Sequence, residues 1–71
     1  MMGNKLNLLF WQFPETKGVN WHTTLAPDGV FMIKRYTGNP DDSGVLTFDA
    51  DTSSGLIEFV MTSLGFKKND D

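Results

Sequence analysis

Residues 8 to 13 read Leu-Leu-Phe-Trp-Gln-Phe, and in a chain of 71 residues this run constrains the fold more than any other feature. A half-buried strand alternates apolar and polar side chains. As a strand, this segment points Leu8 and Phe10 one way and Leu9, Trp11 and Phe13 the other. Both faces then demand cover, and a slip of one residue exchanges them.

Cover is scarce at this size. A domain of this length buries only about 60 to 65% of the surface its unfolded chain exposes. There is no cysteine, so disulfides and thiolate metal sites are closed as routes to extra stability, and packing or oligomerisation is left. The longest uninterrupted apolar stretch, Leu8 to Trp11, is far short of the roughly 20 residues that a membrane-spanning helix needs. With no secretory-signal pattern at Met1, the chain is expected to be cytoplasmic, with no membrane contact.

Leu6 to Phe13 is expected as a first strand, closed by Pro14 and a Glu15-Thr16-Lys17-Gly18 turn. In Val19 to Ala26, the residues Val19, Trp21, Thr23 and Leu25 share one face while Asn20, His22 and Thr24 share the other. Pro27-Asp28-Gly29 then predicts a tight turn: Pro fixes φ, Asp bonds locally, and Gly takes the left-handed conformation. Val30 to Thr37 is a third strand with apolar residues on both sides, and Val45 to Asp49 a short fourth beyond the loop from Gly38 to Gly44.

After Asp49 the period changes. Leu56, Phe59, Val60 and Leu64 recur at helical spacing, and Ile57 and Met61 widen the stripe. Asp51, Thr52 and Ser53 offer N-cap oxygens, while Gly65 followed by Phe66 predicts a Schellman stop with Phe66 folded back onto Met61. The expected fold is thus one α+β domain over residues 1–71, a four-stranded antiparallel meander with one C-terminal helix packed on one sheet face, in β-β-β-β-α order. Residues 1–4 and 67–71 are expected to fray. One helix covers one face, so the second apolar face calls for another molecule, and a homodimer is expected.

Catalytic and metal patterns fail on spacing. His22 is the single histidine and has no cysteine partner, so no zinc set forms. Counting a calcium loop from Asp49 puts Ser54 where glycine is required and Val60 where glutamate is. Neither a nucleophile elbow nor a glycine-rich phosphate loop is present. No cofactor, no metal and no enzymatic activity are expected.

Net charge is −3, divided unevenly. Lys5, Lys17, Lys34 and Arg35 outnumber Glu15 and Asp28 in residues 1–38, whereas residues 39–71 carry seven carboxylates against Lys67 and Lys68. An acidic second half suits a basic protein surface. The remaining constellation is aromatic: Trp11, Phe13, Trp21, Phe31 and Tyr36 are the expected partner-binding residues, on an aromatic sheet face. Interleaved with Lys5, Lys17, Lys34 and Arg35, the same rings make an alternative, a single-stranded nucleic-acid site in which bases stack and phosphates meet cations.

Ile33-Lys34-Arg35-Tyr36, the loop after it, and Gly44-Val45-Leu46-Thr47 leading into a final helix resemble the positive-cofactor-four family of single-stranded-DNA-binding transcriptional coactivators. The resemblance covers residues 30–64. It implies a dimer of curved four-stranded sheets with C-terminal helices, Lys34 and Arg35 as phosphate contacts, and Trp21 or Phe31 as stacking platforms. Two departures weigh against the nucleic-acid role: Asp41 and Asp42 occupy a loop that is basic in that family, and the first two strands are poor in cations. The leading expectation is therefore a small accessory or inhibitory factor that binds a protein.

Overall fold

A computed structural model describes residues 5–14, 18–39, 41 and 43–68. Its elements are a short helix α1 (Lys5–Leu8), strands β1 (Asn20–Leu25), β2 (Phe31–Tyr36) and β3 (Gly44–Phe48), and helix α2 (Ser54–Leu64). The α+β class stands, but the strands number three among the described residues, in antiparallel order β1-β2-β3.

The expected first strand is the main correction. Residues 5–8 are helical, and the chain continues in turns: Leu9, Phe10 and Trp11 donate their N–H groups to the carbonyls of Leu6, Asn7 and Leu8 at 3.2, 3.1 and 3.2 Å. Leu6, Leu8, Leu9, Phe10, Trp11 and Phe13 do not alternate with polar residues, and a three-residue rise instead puts Leu8 and Trp11 on the same side. Further on, Gln12 pairs with Lys67 in an isolated antiparallel bridge, with N–H donated each way at 2.9 and 2.7 Å. Lys67, expected to fray, is thereby pinned.

The β1–β2 hairpin forms as its sequence predicts. Gly29 donates to the Ala26 carbonyl at 2.9 Å, Ala26 donates to the Val30 carbonyl at 2.9 Å, and the Asp28 carboxylate accepts from the Val30 N–H at 3.2 Å. Gly29 has φ 94°, the left-handed residue that completes a three-residue hairpin loop after the Pro27-Asp28 corner. Of the expected turn before β1, Gly18 is described and Lys17 lies outside the described residues.

Register sorts the side chains into two faces, because residues directly opposite one another share a face. Leu25, Phe31 and Phe48 form one row, Thr23, Ile33 and Leu46 the next, and Trp21, Arg35 and Gly44 the third. This face carries the core. Phe31 and Ile33 have no exposed surface and cluster with Leu8, Ile57, Met61 and Phe66. Its opposite carries Thr24, Met32 and Thr47, then His22, Lys34 and Val45, then Asn20 and Tyr36.

Helix α2 starts where Ser53 accepts a hydrogen bond from the Leu56 N–H at 3.2 Å. It ends at Gly65, φ 110°, where Gly65 donates to Thr62 at 3.0 Å and Phe66 donates to Met61 at 3.0 Å. That is the expected Schellman pair. The stripe itself is rotated from the expected one: Ile57 and Met61 are wholly buried, Val60 and Leu64 are half-buried, and Leu56 and Phe59 stand outside at 52% and 69% exposure.

Candidate interaction surface

The five expected contact aromatics divide between core and surface. Phe31 has no accessible surface, so it can neither stack on a base nor touch a partner. Trp11, Phe13 and Trp21 are half-buried against the core cluster. Phe13 sits edge-on to Trp21 with ring centroids 5.9 Å apart and tilted against Phe66 at 5.3 Å. The Arg35 guanidinium lies 5.9 Å from the Trp21 ring centroid. Tyr36 alone of the five is exposed, and it points to the opposite face with His22, their rings 5.2 Å apart. No single aromatic sheet face is assembled, because the hairpin register puts Trp21 and Phe31 on the core side.

The cations are equally scattered. Adjacent residues of a strand point to opposite faces, so Lys34 joins His22 and Val45 on the open face while Arg35 meets Trp21 on the other. Lys5 is at the far end of the molecule, where its ammonium donates to the carbonyls of Ala50 at 2.6 Å, Gly29 at 3.2 Å and Asp49 at 3.4 Å. It ties α1 to both turns that close that end of the sheet.

The open face is not the second apolar surface expected from the sequence. Its side chains are mainly polar, with Met32, Val45 and Tyr36 between Thr24, Thr47, His22, Lys34 and Asn20. The N-terminal apolar run contributes instead to the same cluster as Ile57 and Met61, since Leu8 is buried there and Leu9, Trp11 and Phe13 pack against it. The open face therefore offers a second copy no continuous apolar surface to cover.

What the sequence reading missed is a groove of about 1030 Å³ beside the Lys5 tie. Leu6, Leu25, Ala26, Pro27 and Ala50 supply its apolar lining, and Asp51, Thr52, Ser53 and Ser54 its polar side. Leu6, 61% exposed, stands in it. Its signal in the sequence was faint, because it is made from two turns and a helix start, each of which reads locally as a connection. A smaller recess of about 300 Å³ opens at the other end of the sheet, lined by Lys34, Arg35, Tyr36, Ser43, Gly44 and Val45.

Among the described residues no group of three or more His, Cys, Asp or Glu is placed to hold a metal ion, and no helix is long and apolar enough to cross a membrane. A scan against protein-family models, a search of curated proteins and a search of solved structures each return no match.

Proposed function

We propose that the chain is a small non-catalytic protein-binding factor, and that its partner inserts an apolar side chain into the groove between the 26–29 turn, the 49–53 turn and α1. The observation that carries this reading is the chemistry of the groove. Its one cation, Lys5, is already satisfied by three backbone carbonyls, so little charge is on offer to a phosphate or a charged metabolite. Shape and apolar area do the selecting, as in pockets that receive an anchor residue. Asp51 on the polar side, with Asp49 next to the Lys5 tie, favours a basic residue beside that anchor.

The nucleic-acid alternative draws on less. Of its rings and cations among the described residues, only Tyr36 and Lys34 share the open face, and a stacking site needs several platforms along one track. Cytoplasmic action suits either reading.

The test is quantitative capture of interacting proteins by the tagged chain, compared with Leu6→Asp and Asp51→Lys variants. Leu6 is mostly exposed, so its replacement should leave the circular dichroism spectrum intact. A partner that is lost with Leu6→Asp and weakened at least several-fold by Asp51→Lys supports the reading. A partner retained by both, or oligonucleotide binding whose affinity falls with salt and with Lys34→Ala, contradicts it.

A further inference from the structure

The two edges of the sheet are treated differently. On the β1 side, α1 contacts both β1 and α2. On the β3 side, no described strand pairs with the outer edge. Leu46 is 39% exposed although it is on the same face as the wholly buried Ile33 opposite it.

Which backbone groups this edge presents follows from the hairpin. Ala26 donates to Val30, and hydrogen-bonded and non-hydrogen-bonded pairs alternate along an antiparallel ladder. Leu25↔Phe31 and Thr23↔Ile33 are then non-hydrogen-bonded pairs, so Phe31 and Ile33 direct their N–H and C=O groups to β3. Leu46 and Phe48 answer them. Val45 and Thr47 consequently point their N–H and C=O groups outward, at the free edge.

Helix α2 adds to this side. It descends from the turn end of the sheet, where Ser53 caps it, to the end where Gly65 meets Phe13. With Ile57 and Met61 turned to the core, its right-handed winding brings Leu56 round to the flank away from α1, on the side of β3. The free edge is thus bordered by Leu46 and Leu56 on the core side and by Val45 on the open face, all three exposed, and neither β3 nor this flank of α2 contains a charged residue. Natural sheets protect such an edge with Lys, Pro or a bulge, and Gly44–Phe48 has none.

We propose that a second copy of the chain covers this edge, β3 pairing with β3 of the copy about a two-fold axis at Leu46. Its own sequence is what recommends the copy as occupant. In antiparallel self-pairing Leu46 opposes Leu46 of the partner subunit in a non-hydrogen-bonded pair, and Val45 opposes Thr47 of the partner subunit in a hydrogen-bonded one. The outward N–H and C=O groups of Val45 and Thr47 meet in four hydrogen bonds. Gly44, without a side chain, receives the bulk of Phe48. Both copies keep their core faces on the same side, so the Leu56 flank of α2 in each copy faces the axis. Although each chain carries a net charge of −3, no like charges are brought together along the strip. The dimer is a continuous six-stranded sheet, and it differs from one formed on the open face.

Light scattering of the full chain over a range of concentrations tests this, with Thr47→Pro and Leu56→Ser variants alongside. The expected mass is twice 8.0 kDa for the wild-type chain. Thr47→Pro removes an outward N–H and no β2–β3 bond, so it shifts the population to monomer with an unchanged circular dichroism spectrum. Leu56→Ser, on the exposed flank of α2, weakens the dimer at least several-fold and keeps the test valid should the proline disturb folding. A wild-type chain that stays monomeric at high concentration, with the edge left to some other protein, overturns the proposal. So does a dimer that survives both substitutions.

Discussion

The N-terminal run and helix α2 carry similar loads of large apolar side chains and place them by different geometry. In the run, Leu8 is buried and Leu9, Trp11 and Phe13 pack around the cluster to which it belongs, while Leu6 and Phe10 stand 61% and 64% exposed. In α2, Ile57 and Met61 enter that cluster while Leu56 and Phe59 remain in solvent. Irregular turns set each side chain of the run separately, so Phe10 faces solvent between the half-buried Leu9 and Trp11. A regular helix presents every residue at a fixed angle, so a stripe wider than the contact it makes must leave a flank outside. In both segments the apolar excess reports on more than the core: Leu6 stands in the turn-end groove and Leu56 on the exposed side of α2.

The comparison breaks if the inner residues are dispensable. Replacing Phe31 or Leu8 by Ala removes a wholly buried side chain and should cost about 3–5 kcal/mol, enough to leave a domain this small largely unfolded in a urea titration. Leu46→Ala, on the same face at the free edge, should cost less than about 1 kcal/mol. Equal losses at Phe31 and Leu46 would show that the two sides of the sheet are covered alike.

Next in size is the place where the run and the helix meet. Gly65 has φ 110°, and a Cβ there would stand 3.2 Å from the Phe13 ring, so Gly65→Ala should cost about 1–3 kcal/mol through backbone strain and a displaced ring. A thermal melt with no change would mean that the Schellman turn does not hold Phe13 in place. Lys5→Met should follow, at about 1 kcal/mol, because three carbonyls lose a charged donor yet remain close enough to solvent to recover water. Phe59→Ser should be smallest, within about 0.5 kcal/mol, because the ring stands 69% exposed on the outer side of α2.

Much of this was legible in the sequence. Pro27-Asp28-Gly29, Ser53 and Gly65 each dictate a local backbone state through their own chemistry, and each is found in that state. Leu6 to Phe13 was not legible as turns, since a short apolar run has no period to separate a buried strand from a buried helical turn. The helical stripe was read about one position off, because five or six apolar residues in eleven leave the inward direction to be chosen by the partner, here Phe31 and Ile33 of β2. The five aromatics do not share one exposed face for a related reason: Trp21 and Phe31 alternate on their strands as expected, but periodicity does not say which face is wet. The turn-end groove and the β3 edge are products of topology, assembled from segments that are distant in the chain.

The most direct measurement exploits the absence of cysteine from the sequence. Leu46→Cys places a thiol on the proposed axis, where a non-hydrogen-bonded pair brings its Cα within about 4.5 Å of its equivalent, close enough for a disulfide. Thr24→Cys, exposed on β1 at the other edge, serves as the matched control. Mild oxidation at equal concentration should convert the Leu46→Cys chain to a covalent dimer far faster than the Thr24→Cys chain. Equal rates for the two, or no cross-link at Leu46→Cys, would contradict a dimer built on the free edge of β3.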